Sequence, residues 1–397
     1  MKSRSVLTLC VLSLFSASVG FAATCPGSVV SVNLTSPTSG TYAIPIHFQA
    51  TASSSGGSIT GYAVYTNQYA DIPFATGQPM YLNGIATLNS WVMLPETGAG
   101  GALSQTVFVR AWDSAGNCGD SGNLSITASG AVIPNSFPSG YQQWLNREDD
   151  QENSNSGNAA GWWDCGTPSC SGGANTATVS FAFGQSPKRD TNGSIALSVT
   201  GPDYANGLFW YKVPPIGQQD SLQTFVWDFY FYLSSNTTTT NTQAVEFDLF
   251  QAKGGYKYMI GTQCNYHPDG GGGPIWDAWD QSSGRWVPAV RNTQTESNPS
   301  PANAIACPAF STGTWHHAQF YLQRTLPDAQ YPQGRILYGT VSIDGSATVW
   351  DISAPAASST WGDVLGINHQ LDTFNETGTV TLQEFVDADN ITAWPQD

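Results

Sequence analysis

The chain has 397 residues, only 11% of them charged, and a formal net charge of −16. Such acidity argues against nucleic acid and anionic membrane surfaces as partners and suits neutral substrates, its plainer reading being solubility alone. The length favours two domains, and aromatic residues at 12% with little charge favour strands over helices.

The first element is a targeting segment. Lys2 and Arg4 form a basic start, residues 6–15 (VLTLCVLSLF) an apolar run, and Gly20 and Ala22 a small-x-small pattern, which predicts a signal peptide over 1–22. The apolar run is shorter than the roughly 20 residues of a spanning helix, so a membrane anchor is the weaker alternative. Cys25 raises a lipoprotein alternative, for which Ala22-Ala23-Thr24 is a poor preceding sequence. Losing Lys2 and Arg4 leaves 11 basic against 29 acidic residues, a net charge of −18.

Residues 23–130 carry short alternating runs (SVVSVNLT, IPIHFQATA, GYAVYTN, QTVFVRAWD, NLSITASG) separated by Gly, Ser and Pro turns. That spacing predicts a β-sandwich. Residues 131–143, with two prolines and no period, read as a linker. Residues 144–397 hold about ten further strand-like runs with no helical segment between them. A large double-sheet jelly roll is expected there.

Six cysteines survive loss of the leader, and an even count in an exported chain reads as disulfides. Six cysteines allow 15 pairings, and the domain boundaries favour Cys25–Cys118, Cys165–Cys170 and Cys264–Cys307. The localisation expected is extracellular or periplasmic.

The segment QTVFVRAWDSAGNCGDSGNLSITA resembles bacterial immunoglobulin-like modules of exported proteins, which implies a spacer or adhesive role for the first domain. The second domain resembles the concanavalin A-like lectin/glucanase superfamily through AVEFDLF, GTWHHAQFYLQR, LYGTVSIDG and the closing EFVDADNITAW. The fold class expected is therefore all-β: an immunoglobulin-like sandwich followed by a concanavalin A-like jelly roll.

Glu246 and Asp248 lie two apart in a strand-like run and so share a face. Retaining glucanases of this superfamily resemble the stretch through Glu-x-Asp-x-x-Glu, which implies Glu246 as nucleophile and Asp248 as its tuner. The third position is Gln251, an amide that cannot protonate a leaving oxygen. Hydrolysis would then need another acid, with Asp277, Asp280 and His317 as candidates. Legume lectins resemble Val245-Glu246-Phe247-Asp248 too, and there the acids hold manganese and calcium. The positions that should supply the other ligands fall near Ala252, Lys257 and Thr262, so no metal pair is carried over. No cofactor is assigned, and a structural calcium ion stays open without residues. Asn265, His267 and Asp269 read as a solvated turn.

The tract at 267–290 places Trp276, Trp279 and Trp286 within eleven residues. Indole faces suit sugar C–H groups, so Trp276 and Trp279 are expected to stack on a glycan, while capping of the sandwich is the plainer alternative. For Trp162 and Trp163 packing is the first reading. In TWHHAQFYLQR, His317 and Gln319 fall on the polar face and join Glu246 and Asp248 if that face is shared, whereas His316 reads as a satisfied core residue. The function expected is glycan or polysaccharide binding through Glu246, Asp248, Gln251, Trp276, Trp279, His317 and Gln319. A glycoside hydrolase and a surface adhesin or structural protein are the alternatives.

Overall fold

The structure, a computed structural model, describes residues 25, 29–44, 46–66, 87–92, 94, 102–131, 133, 137, 140–150, 160–170, 175–214, 222–268, 271–291, 293–324 and 333–395. The expected leader at 1–22 lies outside them, as does Asp269. The protein is all-β. In the first part, β1 (Val30–Ser36), β3 (Ile46–Ser54) and β5 (Thr87–Val92) form one sheet. β2 (Gly40–Ile44), β4 (Ile59–Thr66), β6 (Leu103–Asp113), β7 (Cys118–Asp120) and β8 (Leu124–Ala131) form a second. No helix among the described residues is long and apolar enough to cross a membrane.

The second part is two large sheets laid face to face. One holds β10 (Gly161–Gly166), β13 (Asn206–Lys212), β24 (Val364–Thr373), β15 (Thr242–Lys253), β16 (Tyr256–Asn265), β17 (Ile275–Asp280) and β18 (Arg285–Pro288), in that order. The short β23 (Ala357–Ser358) sits on β16. The other runs β11 (Thr178–Gln185), β12 (Ser194–Gly201), β25 (Val380–Trp394), β14 (Thr224–Leu233), β20 (Trp315–Arg324), β21 (Arg335–Ile343), β22 (Ser346–Pro355) and β19 (Thr293–Gln294). β9 (Gln142–Trp144) pairs with β25, so the end of the expected linker is built into the nine-stranded sheet.

Period-two patterning makes these strands. On β14, Phe225, Trp227, Phe229 and Phe231 all enter the core, where they meet Val245, Phe247 and Leu249 of β15. His369 is fully buried in this core, with Glu384 at 3.4 Å and Asp389 at 3.5 Å. Burial alone would lower its pKa, but the two carboxylates outweigh it and push the imidazole up to about 9. The core of the first part, around Phe48, Tyr62 and Val109, continues into Val226, Tyr321, Leu337, Val349 and Trp394. These five lie on the outer side of the nine-stranded sheet, alternating with its core residues.

All three expected disulfides are formed: Cys25–Cys118, Cys165–Cys170 and Cys264–Cys307. The first ties the start of the described chain to β7, and the last holds β16 against the segment that follows β18.

One glycine fixes how closely the central strands approach. A Cβ on Gly366 would lie 2.3 Å from Phe250 Cζ and 2.4 Å from the Tyr211 carbonyl oxygen. Since backbone cannot yield as a side-chain tip can, Gly366→Ala is expected to lower stability by about 1–3 kcal/mol or more. Urea denaturation followed by circular dichroism measures this, and a variant as stable as the parent would refute it.

Candidate functional site

Strand β15 pairs with β16 from Ala244 to Lys253 without a register shift. Strict alternation therefore governs every side chain along it. Val245, Phe247 and Leu249 join the core between the sheets, and Glu246, Asp248 and Phe250 turn to the opposite, outward face. The same alternation corrects the expectation for Gln251. Five residues from Glu246, it turns inward, where its Nε2 donates to the Leu222 carbonyl at 3.1 Å. No bulge returns it to the acids, so the Glu-x-Asp-x-x-Gln spacing is split between two faces.

Neighbouring strands continue the outward face in two rows. Asp277, Gln263, Glu246, Gln370 and Leu208 are successive partners across five strands. Beside them run Gly261, Asp248, Asn368, Trp210 and Trp163. Trp279 lies beyond Gly261 and is cross-strand partner to Trp286, with the two rings 5.2 Å apart. A Cβ on Gly261 would come within 2.9 Å of both Asp248 Oδ1 and Trp279 Cβ, so only glycine lets the acid and the indole approach this closely. At the other end Trp163 stacks on Trp210 at 5.8 Å, and Trp361 stands edge-on to Trp210 at 5.9 Å. A polar strip thus lies between two tryptophan groups.

Amides organise the strip. Asn368 Nδ2 donates to Asp248 Oδ2 at 2.9 Å, and its Oδ1 accepts from the Phe209 N–H at 3.0 Å. Gln263 Nε2 and Asn265 Nδ2 both donate to Asp277 Oδ2 at 2.9 Å, and Gln370 Nε2 donates to Asp372 Oδ1 at 2.9 Å. Apart from a proton held between the two acids, four buried polar atoms on this face have no partner among the described residues: Glu246 Oε2, Asp248 Oδ1 and the indole nitrogens of Trp163 and Trp279.

Burial sets the charge state of the strip. It raises Glu246 well above the carboxylate range, and the charges of Asp248 and Asp372 add to the effect. Asp248 is pushed up to about 6 by burial, against hydrogen bonds from Glu246 and Asn368, and Asp372 is pushed up to about 7 by burial. Of the two acids Glu246 is the one whose neutral form burial favours more strongly, and a hydrogen bond joins it to Asp248. Lys257, with its ammonium 4.7 Å from the centre of the Trp361 ring, is lowered by burial against the pull of Asp248.

The expectation that the acids line an open furrow needs correction. Glu246 is 3% exposed and Asp248 fully buried, so they form a floor rather than a lining. Trp276 is corrected as well. It faces the core, packed edge-on to Trp350 at 5.4 Å and Phe310 at 6.1 Å. His317 and Gln319 belong to the nine-stranded sheet and are bound to Asp228, at 2.9 and 2.6 Å, away from the acids. Asp280 turns away from Asp277 and Trp279 and accepts from Ser282 and Ser283 in the following turn. Trp162 is core, donating to the Arg147 carbonyl at 2.7 Å, whereas Trp163 faces outward beside Trp210. His316 is buried and hydrogen-bonded to Asp344 at 2.8 Å.

Residues that the sequence reading passed over complete the face: Trp210, Gln263, Trp361, Asn368, Gln370 and Asp372. A signal existed in β24, where Asn368, Gln370 and Asp372 alternate with Ile367, His369 and Leu371.

No family model matches the chain, and no curated protein matches it. Among solved structures, carbohydrate-binding modules of the β-sandwich superfamily are similar at 13% identity over 91% of this chain and 97% of theirs, with a TM-score of 0.27. The endo-β-1,4-glucuronan lyase of the fungus Trichoderma reesei is similar at 13% identity over 54% of this chain and 86% of its own, with a TM-score of 0.32. Arcelin-5, a lectin-like defence protein from Phaseolus vulgaris, is similar at 11% identity over 64% and 99%, also with a TM-score of 0.32. Likeness at this level carries no functional argument, and the geometry of the outward face stands alone.

Proposed function

We propose that the chain is an exported carbohydrate-binding protein that holds a neutral glycan against the outward face of the eight-stranded sheet. The observation that carries this reading is a set of four buried polar atoms between two tryptophan groups: the indole nitrogens of Trp163 and Trp279, which have no partner among the described residues, and Glu246 Oε2 and Asp248 Oδ1, which have none there beyond the bond between the two acids. Buried polar groups are nearly always satisfied, so a cluster without partners on one face suits a ligand that supplies them. Sugar hydroxyls both donate and accept, and the C–H faces of a sugar ring fit indole. Glu246, Gln263, Asp277, Gln370 and Asp372 each keep 3–6% exposure, which leaves narrow access to the floor. A strip of acids disfavours polyanionic chains, in line with the acidity of the whole protein. The first sandwich, read as an immunoglobulin-like spacer, adds no chemistry. Three disulfides accord with an oxidising compartment outside the cell.

Hydrolysis with Glu246 as nucleophile is the rival reading, favoured by the pairing of Glu246 and Asp248 on one face, although burial raises Glu246 and works against the ionised form a nucleophile needs. It lacks its usual third group, since Gln251 is an amide and faces the core. Incubation with a panel of neutral and acidic polysaccharides tests both. Retention on a neutral polymer without new reducing ends is the result expected. Retention on none of the polymers would remove the glycan proposal and leave a structural or adhesive protein. Reducing ends that vanish with Glu246→Gln would establish the hydrolase instead.

A further inference from the structure

A second acidic cluster lies outside the tryptophan-rimmed face. Glu148 sits in a 3-10 turn, Arg147–Asp149, just after β9. Asp190 belongs to the loop between β11 and β12, and Asp387 to β25. One carboxylate oxygen from each lies within 4.8 Å of the others. Glu148 is 1% exposed and Asp387 fully buried.

Local bonds aim the three groups. Glu148 Oε1 and Oε2 accept from the backbone N–H of Ala388 at 2.7 Å and of Asp389 at 2.8 Å. Asp190 Oδ1 accepts from the N–H of Asn192 and Gly193 at 2.8 and 3.1 Å. Asp387 Oδ2 accepts from the Arg189 N–H at 2.5 Å, while its Oδ1 is buried with no hydrogen-bond partner. The nearby cationic side chains are engaged elsewhere. Arg189 lies over the Tyr230 ring at 3.4 Å, Lys188 Nζ donates to the Thr191 carbonyl, and Arg147 serves Asp150. Three carboxylates from three distant parts of the chain therefore converge with no salt bridge to any of them among the described residues, where one of them also has an unpartnered buried oxygen.

We propose that Glu148, Asp190 and Asp387 bind a hard divalent cation, calcium, that pins the 3-10 turn and the β11–β12 loop to the last strand. Carboxylate oxygens alone select calcium or magnesium over softer metals. Calcium is the better match, because it tolerates irregular oxygen sets and shared carboxylates, whereas magnesium demands near-ideal octahedral geometry. Each carboxylate has a lone pair left after its backbone bonds, and water completes the coordination shell.

The test uses the full chain, freed of metal by a chelator and then titrated with calcium chloride or magnesium chloride. Calorimetric binding of calcium is expected, with a rise of roughly 5 °C in the melting midpoint at a concentration on the order of a hundred times Kd. Asp387→Asn keeps the oxygen that accepts from Arg189 and removes one negative charge. It should melt at or above the metal-free parent and show no calcium response, and Asp190→Asn should weaken the response. A parent that neither binds calcium nor shifts its midpoint overturns the proposal. So does an Asp387→Asn variant that responds as the parent does, or a response confined to magnesium.

Discussion

Trp210→Ala is expected to cost about 3–5 kcal/mol of stability, the range for deleting a large buried aromatic side chain. Trp210 is 7% exposed and anchors the aromatic group at one end of the outward face. It stacks on Trp163 and meets Phe250 edge-on at 5.1 Å and Trp361 at 5.9 Å. Asn368, its partner on β24, holds Asp248, so collapse around an alanine would also loosen the acid floor. Trp279→Ala, at a half-buried position at the other end, should cost less stability while weakening glycan retention by roughly tenfold, about 1.4 kcal/mol. Urea denaturation and calorimetric titration of both variants separate the two effects. A Trp210→Ala protein within about 1 kcal/mol of the parent would mean that the aromatic group does not support the face.

The second large effect is on pH dependence. In the unfolded chain Asp248 and Asp372 lose their protons near pH 4, whereas in the fold they hold them up to about 6 and about 7. Between those limits the native state carries more protons than the unfolded state, so stability falls as pH rises. The contribution of these acids is fully present below about pH 4 and is lost as pH passes the folded values. Glu246, also raised by burial, acts in the same direction. A pKa raised by one unit corresponds to about 1.4 kcal/mol. His369, across the sheet, acts in the same direction but in a higher window, its stabilising charge being lost as pH rises through about 9. An amide mimics a protonated carboxyl in shape, so a Glu246→Gln, Asp248→Asn double variant should lose part of this slope. Its stability relative to the parent should therefore rise between about pH 4 and 7. Urea midpoints across that window measure the difference, and a difference that falls instead would show the acids ionised and stabilised by partners.

Much of the architecture was legible because alternation is a local property. Phe225 to Phe231 and Val245 to Leu249 announce their core face in the sequence itself. The face shared by Glu246 and Asp248 was legible for the same reason. Their burial was not, since it depends on β24, a central strand whose apolar count is diluted by Gly366, Asn368, Gln370 and Asp372. Two errors were avoidable by counting. Trp276 and Trp279 are three apart, so in a regular strand they cannot share a face, and Gln251 is five from Glu246. A bulge would have reversed the second inference, and the unbroken register of β15 against both β16 and β24 over this stretch excludes one. The assignment of His317 and Gln319 required knowing which sheet holds β20, a matter of long-range pairing that no local pattern encodes.

The apolar cluster that the first sandwich shares with Val226, Tyr321, Leu337, Val349 and Trp394 occupies the back of the nine-stranded sheet. The two broad sides of the larger sandwich are therefore unequal: one is taken up by the chain itself, and the tryptophan-edged one looks the other way. Held by its first sandwich, the protein would turn the tryptophan-edged side, and not the covered one, towards its surroundings.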